Sequence, residues 1–385
     1  MLLEMQKSPL LEKTIESWIV QSDLVKEITI EELQDFLKPS IRGNLWVRGS
    51  LVRGHFPCGD IDISDYSEGN RFDFHNFPRE FKLDPDQEGL PIEYAHVPFE
   101  HLEEFLTTYL RYSASADEMI PLTPDNGEVG LIMGRASSRF YESMIADYAL
   151  FRSFEEESFY KQTQTTYWNE YRQIKEISGG KRTADRIFWL SKSLYPEYRS
   201  ITNQVSLYYQ MMKDGRIPTD VGCALFDLDT VVKVDFDKYL ALASIIQPWY
   251  QNIFLQIVKA ELISKIPSKD LEIILLCRQD SVAPEVLGEA FDTINDLNLA
   301  HRQWLASWVL SQNPQCSQEL LANMWSQYSG NFSYTNVQRN LVRHPNFPLG
   351  SVHQIEITND DHLIRSFNEV CQKRQFIPNF SLSVK

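Results

Sequence analysis

With 385 residues, 43% of them hydrophobic and 23% charged, the chain has the length for two or three domains and a sizeable core. That excludes a small stapled scaffold, wholesale disorder and a fibrous repeat. Lysine and arginine number 37 against 53 aspartates and glutamates, a net charge of −16, so the surface as a whole repels polyanions and a general DNA-coating role is excluded. The five cysteines, Cys58, Cys223, Cys277, Cys316 and Cys371, are odd in number, widely spaced and without a CxxC pair, a usage that fits a reducing compartment and no zinc knuckle.

The N-terminal stretch places Glu4, Lys7, Glu12 and Lys13 where a signal peptide needs an apolar run, so a cytoplasmic protein is expected. Leu11, Ile15, Trp18 and Ile19 recur near helical spacing, predicting a helix over 10–25. Thr29 followed by Glu32 resembles a capping box that opens a second helix over 30–37. Strands are predicted at 45–47, at 60–64, where polar and apolar residues alternate, and at 91–97, which Pro98 stops. Met119 to Leu122 and the turn at 124–127 predict one last hairpin. Otherwise, from Glu100 onward, the pattern reads as helix, punctuated by Ser178-Gly179-Gly180 and Asp214-Gly215. The most apolar window, 239–258, is interrupted by Gln247, Pro248, Gln251 and Asn252 and predicts a buried helix pair in place of a membrane span.

Beyond residue 265 a turn recurs at Asp280–Leu287, Asn313–Leu321 and His344–Val352. Aligning Val282, Cys316 and Phe347 gives spacings of 34 and 31 residues. Each is a polar or proline-bearing turn between short helices. The pattern resembles HEAT-like and variant leucine-rich helical repeats, an ordinary helical domain with similar turns being the alternative. The expected architecture is α+β: a small mixed sheet with helices over 1–130, a helical domain over 131–265, and a short α-solenoid-like region over 266–385.

The chemistry-bearing stretch is Leu45-Trp-Val-Arg-Gly-Ser-Leu-Val-Arg-Gly-His-Phe-Pro-Cys-Gly-Asp-Ile-Asp-Ile-Ser64. A strand delivers the chain to Gly49, which lets backbone approach a bulky anion, and Ser50 adds a hydroxyl donor beside it. A helix starting at this bend turns its free N–H groups on the same space, a ready phosphate site. Asp60 and Asp62, two apart on a strand, present both carboxylates to one face while Ile61 and Ile63 enter the core. Two such charges side by side call for a cation. Few, hard oxygen ligands sharing a site with phosphate suit Mg²⁺ (or Mn²⁺), as a pair of ions that activates an attacking hydroxyl and stabilises leaving pyrophosphate. Glu93, flanked by the apolar Ile92 and Tyr94, is the expected third acid, ahead of Asp73. Arg53 is a candidate phosphate contact or a solvated loop arginine. His55 and Cys58 lack partners at ligand spacing and read as structural. Downstream, Arg172, Lys175, Lys181, Arg182 and Arg186 form the clearest basic patch.

Gly49-Ser50, nine intervening residues, Asp60-Ile-Asp62 and a later strand acid resemble the signature of the polymerase-beta-like nucleotidyltransferase superfamily. The local text is similar to a segment of the uridylyltransferases that modify nitrogen-signalling proteins, and to the aminoglycoside nucleotidyltransferases, in which the third acid can serve as base. The resemblance covers roughly the first third of the chain. It implies an ATP- or other NTP-dependent transferase in which Gly49 and Ser50 hold the triphosphate and Asp60 and Asp62 bind metal. Glu93 would bind metal or deprotonate the acceptor hydroxyl, and Lys181 or Arg182 would reach over the nucleotide.

The expected function is therefore Mg²⁺-dependent transfer of a nucleoside monophosphate from an NTP to a hydroxyl, with release of pyrophosphate. Appended repeats are superfluous for a drug-modifying enzyme, which places a protein or tRNA acceptor ahead of a small molecule; the 172–186 cluster would supply the basic groove a tRNA needs. From another class comes the alternative of a non-catalytic sensor or scaffold on the same fold, its C-terminal repeats gripping a protein partner.

Overall fold

The structure, a computed structural model, describes residues 11–37, 44–54, 60–67, 78, 80–82, 89–123, 127–163, 179–230, 236–352 and 361–378. The chain divides into two compact units, Met1–Glu103 with Ala114–Ser264, and Glu104–Ser113 with Lys265–Lys385. The class is α+β, a small mixed sheet among many helices.

In the first unit, five strands are ordered β3-β4-β2-β1-β5. They are β1 Leu45–Arg48, β2 Ile61–Asp65, β3 Glu80–Phe81, β4 Leu90–His96 and β5 Ile120–Pro121. β2 and β4 run parallel; the other pairs are antiparallel. Ile61 and Ile63 are fully buried, as the alternation predicts, each worth roughly 2 kcal/mol of burial. They join Leu45, Val47, Leu51, Val52 and Phe81 in one core under a helix, α1 Leu11–Leu37.

α1 corrects the expectation of two helices. Thr29 is buried and its hydroxyl donates to the Val25 carbonyl at 2.7 Å, so it bonds back into a continuing helix and caps nothing. The 27-residue helix persists because its two halves are buried separately. Ile30, Leu33 and Leu37 sit on the sheet, while Ile15 and Trp18 pack on Val205, Cys223 and Phe226. The expected hairpin at 119–122 is also corrected, since Ile120 and Pro121 pair with Val47 and Trp46 of β1 as an edge strand. Residues 124–126 of its turn lie outside the described residues. β3, two residues long, is too short for a periodicity to announce.

Helices follow: α2 Phe99–Thr108, then α3 Glu128–Arg139, which runs through a π-turn at Phe140–Met144 into α4 Ile145–Thr163. Next come α5 Lys181–Leu194, α6 Gln204–Lys213 and α7 Thr219–Thr230. Gly179 has φ +85 and no room for a side chain, its Cβ position lying 2.3 Å from the Ala243 carbonyl oxygen, so the chain turns there before α5. The apolar window is a correction too. α8 Phe236–Trp249 passes through a π-turn at Tyr250–Phe254 directly into α9 Leu255–Glu261, so one helical run replaces the expected pair. Among the described residues, no helix is long and apolar enough to cross a membrane.

The second unit carries α10 Ser268–Arg278, α11 Pro284–Ile294, α12 Ala300–Leu310, α13 Gln318–Tyr328, α14 Thr335–Arg343 and α15 Asp361–Lys373. Its turns are bonded each to the one before. Asn313 Nδ2 donates to the Cys277 and Gln279 carbonyls at 2.8 and 3.2 Å, His344 Nε2 donates to the Asn313 carbonyl at 2.9 Å, and Arg374 donates to the Phe347 carbonyl at 2.9 Å. Burial holds the His344 ring below the usual histidine range, which suits a neutral ring donating through Nε2. A buried ion pair, Arg302 to Asp270 at 2.7 Å, ties α12 to α10. Within this unit Tyr109 packs on Trp304 and Phe105 on Phe332, which draws the short Glu104–Ser113 segment in.

Candidate active site

β1 ends at Arg48, and the chain then bends at Gly49 with φ +83. An ideal Cβ at Gly49 would stand 2.2 Å from Asp62 Oδ2 and 3.2 Å from its Cγ, so the carboxylate occupies the space that a side chain would take. Glycine is required here both for the left-handed backbone and for that close approach. Ser50 follows, and its buried Oγ has no hydrogen-bond partner among the described residues. The remainder of the bend is a tight turn, not the helix start the sequence reading allowed. The Arg53 N–H reaches the Gly49 carbonyl at 3.3 Å, the Gly54 N–H reaches the Leu51 carbonyl at 3.1 Å, and Leu51 and Val52 are spent in the core. No helix dipole therefore faces the site from residues 49–54.

Strand register sets the rest. Asp62 is the Cα partner of Arg48 on β1 and of Glu93 on β4, so the three side chains form one row across a single face of the sheet. Asp60 is half-buried and precedes β2, which begins at Ile61 and not at residue 60 as the alternation predicts. Arg48 lies 3.9 Å from Asp62 Oδ1, while Asp62 and Glu93 are like charges on adjacent strands, an arrangement that costs stability unless a cation offsets it. Arg48 supplies part of that offset from one side. The structure thus sets Asp62 against Gly49, with Ser50 next along the chain, and in register with Glu93, while Asp60 stands just before β2.

Among the described residues, no three His, Cys, Asp or Glu side chains converge as a metal cluster. The Asp62 carboxylate beside the Ser50 hydroxyl is of the donor chemistry that fits Mg²⁺, which is commonly held by one or two carboxylates and completed by water and substrate phosphate.

Arg53 is not the solvated loop residue that the sequence allows as one alternative. Its guanidinium stands 3.3 Å from Asp185 and 3.9 Å from Glu118, above the Trp189 ring. Burial works against its charge, and Asp185, then Glu118, Asp62 and Asp229 outweigh that, raising its pKa further. Glu118 is in turn 3.4 Å from the fully buried Lys192. Lys181 and Arg182, at the first turn of α5, join the same cluster: Arg182 lies 3.9 Å from Asp185, and the charge of Lys181 acts on the buried Asp229. Gln204 Nε2 donates to Asp229 at 2.9 Å, and burial pushes the Asp229 carboxyl up to about 7.

Of the expected basic patch, Arg186 is buried, so it is no part of an exposed cationic surface, and Arg172 and Lys175 lie outside the described residues. His55, Cys58 and Asp73 also lie outside them. Sequence reasoning missed Arg48, whose place beside Asp62 follows only from the β1–β2 register, and the acids Asp185, Glu118 and Asp229, which reach Arg53 from distant helices and turns without any local motif. Asp65, the next acid after Asp62, has a different part. It is fully buried, accepts from Tyr94 Oη at 2.7 Å and from Ser67, and lies 3.4 Å from His96 Nδ1, closing the end of the β2–β4 pair. Set against models of protein families, curated proteins and solved structures, the chain matches none.

Proposed function

We propose that the protein transfers a nucleoside monophosphate from a nucleoside triphosphate to a hydroxyl acceptor, on a nucleotidyltransferase-like core. The observation that carries the reading is the Asp62 carboxylate seated on the Gly49 α-carbon, beside the buried, unpartnered Ser50 hydroxyl and in register with Glu93. Phosphate contacts fall to the Gly49–Ser50 backbone and hydroxyl. Asp60 and Asp62 are the groups that would hold Mg²⁺, which when bound neutralises phosphate charge and polarises the α-phosphorus. Glu93 is the base that takes the proton of the acceptor hydroxyl. The acceptor oxygen then bonds to the α-phosphorus, the bond to the β-phosphate bridging oxygen breaks, and pyrophosphate carries away the electron pair. Lys181 and Arg182, in the first turn of α5, are the basic residues that would reach over the triphosphate.

A protein or tRNA acceptor is favoured over a small molecule, given a second unit of bonded helical turns that a small substrate does not need. A second reading, a non-catalytic sensor or scaffold whose second unit binds a protein, is favoured by one observation: the cation beside Asp62 is Arg48 of the chain itself, at 3.9 Å.

The test is incubation with each α-labelled nucleoside triphosphate and Mg²⁺ or Mn²⁺. Pyrophosphate and a labelled acceptor are expected from the wild type. Both should vanish, by a factor of at least about a thousand, in the Asp60→Ala/Asp62→Ala double variant with its circular dichroism unchanged. Tight nucleotide binding without turnover would establish the second reading instead, and neither binding nor turnover would sink both.

A further inference from the structure

The Gly49–Gly54 turn that presents Ser50 is fixed from outside itself at three points. The Gln204 N–H donates to the Arg53 carbonyl at 3.0 Å. Ser22 Oγ donates to the Gly54 carbonyl at 3.1 Å, and Asn203 Nδ2 donates to that same Ser22 oxygen and to Asp23, both at 3.0 Å. The third point is the Arg53 side chain, which leaves the turn and ends between Asp185 and Glu118. At Gly54, φ +73, a Cβ would stand 2.6 Å from Asn203 Nδ2, so the backbone and its anchors leave no slack.

The first two anchors are neutral hydrogen bonds made to backbone. The third is a buried ion pair, 3.3 Å long, with the Arg53 side chain about 11% exposed. It couples charge to position: the side chain that Asp185 holds starts inside the turn, so the ion pair bears on where Gly49 and Ser50 stand against Asp62, whose carboxylate fills the space beside the Gly49 α-carbon. An arginine already committed to two acids is poorly placed to serve as a phosphate ligand. Lys192, which holds Glu118 from its far side, leaves Asp185 as the main counter-charge set against Arg53.

We propose that Asp185 is a positioning residue for the triphosphate-binding turn. It acts through Arg53 to hold Ser50 and Gly49 at the distance from Asp62 at which a triphosphate and its cation are gripped together. This rests on the reading of residues 49–62 as a triphosphate site. It predicts a sign that distinguishes it from the alternative in which Arg53 is itself a phosphate ligand held back by Asp185. If Asp185 positions, Asp185→Asn weakens triphosphate binding; if Asp185 restrains a ligand, the same change frees Arg53 and tightens binding.

The experiment uses the full chain and inorganic tripolyphosphate with Mg²⁺, titrated calorimetrically at a temperature where every variant is folded. The variants are Asp185→Asn, Asp185→Glu and, as a stability control in the same unit, Tyr198→Phe, which loses the 2.6 Å bond from its hydroxyl to Asp214. The expected results are a dissociation constant about tenfold higher for Asp185→Asn, recovery to within about threefold for Asp185→Glu, and no change for Tyr198→Phe. A lowered melting temperature with an unchanged dissociation constant for Asp185→Asn overturns the proposal, as does tighter binding, and as does failure of the wild type to bind tripolyphosphate. Wild-type binding without transfer from any nucleoside triphosphate overturns the enzymatic reading alone and leaves the positioning role standing.

Discussion

Gly49→Ala is expected to cost the protein both stability and activity, for two separable reasons. At φ +83 a residue with a Cβ pays on the order of 1–2 kcal/mol for the left-handed backbone alone. The second reason is steric: the new methyl would stand 2.2 Å from Asp62 Oδ2, so the carboxylate has to leave the place where it now faces the bend. Asp62 can rotate at modest energetic cost, because the clash is with the far end of a side chain. Its function cannot follow, since a displacement of about 1 Å in a reacting constellation is worth roughly a hundredfold in rate. Urea denaturation should therefore show a loss of about 1–3 kcal/mol, and pyrophosphate release a loss of at least about a hundredfold at a urea-free temperature where the variant is folded. Full activity in Gly49→Ala would mean that the Asp62 carboxylate has no part in the chemistry.

The second large effect concerns Asp229, which is fully enclosed by its surroundings and whose carboxyl is pushed up to about 7 from the ordinary 3.8. Burial is the main cause. Lys181 opposes it, Asp185 adds to it, and the Gln204 hydrogen bond and Arg53 oppose it. A folded state that binds this proton more tightly than the unfolded chain loses stability as pH rises through the interval between the two values, about pH 4 to 7, and the loss is complete above 7. Three pK intervals correspond to roughly 4 kcal/mol in full. Asp229→Asn removes the titration while keeping an oxygen for Gln204. Relative to the wild type it should gain stability steadily from pH 5 to pH 7.5 and then run parallel. Urea denaturation at four or five pH values reads the difference directly. Curves that stay parallel across the whole range would show that Asp229 is charged throughout, its charge met by Lys181 and Arg53.

Much of the first unit was legible because its signals are local. Alternation of Asp60-Ile61-Asp62-Ile63 assigns one face to the core and the other to chemistry, and the bend at Gly49 is written in a strand that stops at glycine and serine. What escaped was set by register and by long-range packing. Nothing in a linear reading places Arg48 beside Asp62 or Glu93 opposite it, since β4 reaches β2 as a parallel neighbour after an intervening strand. Thr29 and Glu32 carry the lettering of a helix start, yet the apolar residues on both sides of Thr29 are buried by different partners, and tertiary packing carries one helix through. Arg53 reads as a loop cation because its two acids lie 65 and 132 residues away in sequence. Arg186 reads as surface because it follows a run of basic residues around Gly179-Gly180, whereas packing buries it. In the second unit the recurring turns were visible as spacings of 34 and 31 residues, whereas the packing of Tyr109 on Trp304 joins segments that no periodicity connects.

The central claim is that Asp60 and Asp62, beside the Gly49–Ser50 bend, hold a divalent ion against a bound triphosphate. The most direct measurement is a Mn²⁺ titration followed by electron paramagnetic resonance, with and without each of the four α,β-methylene nucleoside triphosphates, on the wild type and on Asp62→Asn. A site built from two acids and completed by phosphate should bind Mn²⁺ tightly only when nucleotide is present, and should lose at least about a hundredfold in affinity in the variant. Nucleotide-dependent Mn²⁺ binding that is indifferent to Asp62→Asn, or no such binding with any of the four, would contradict the account.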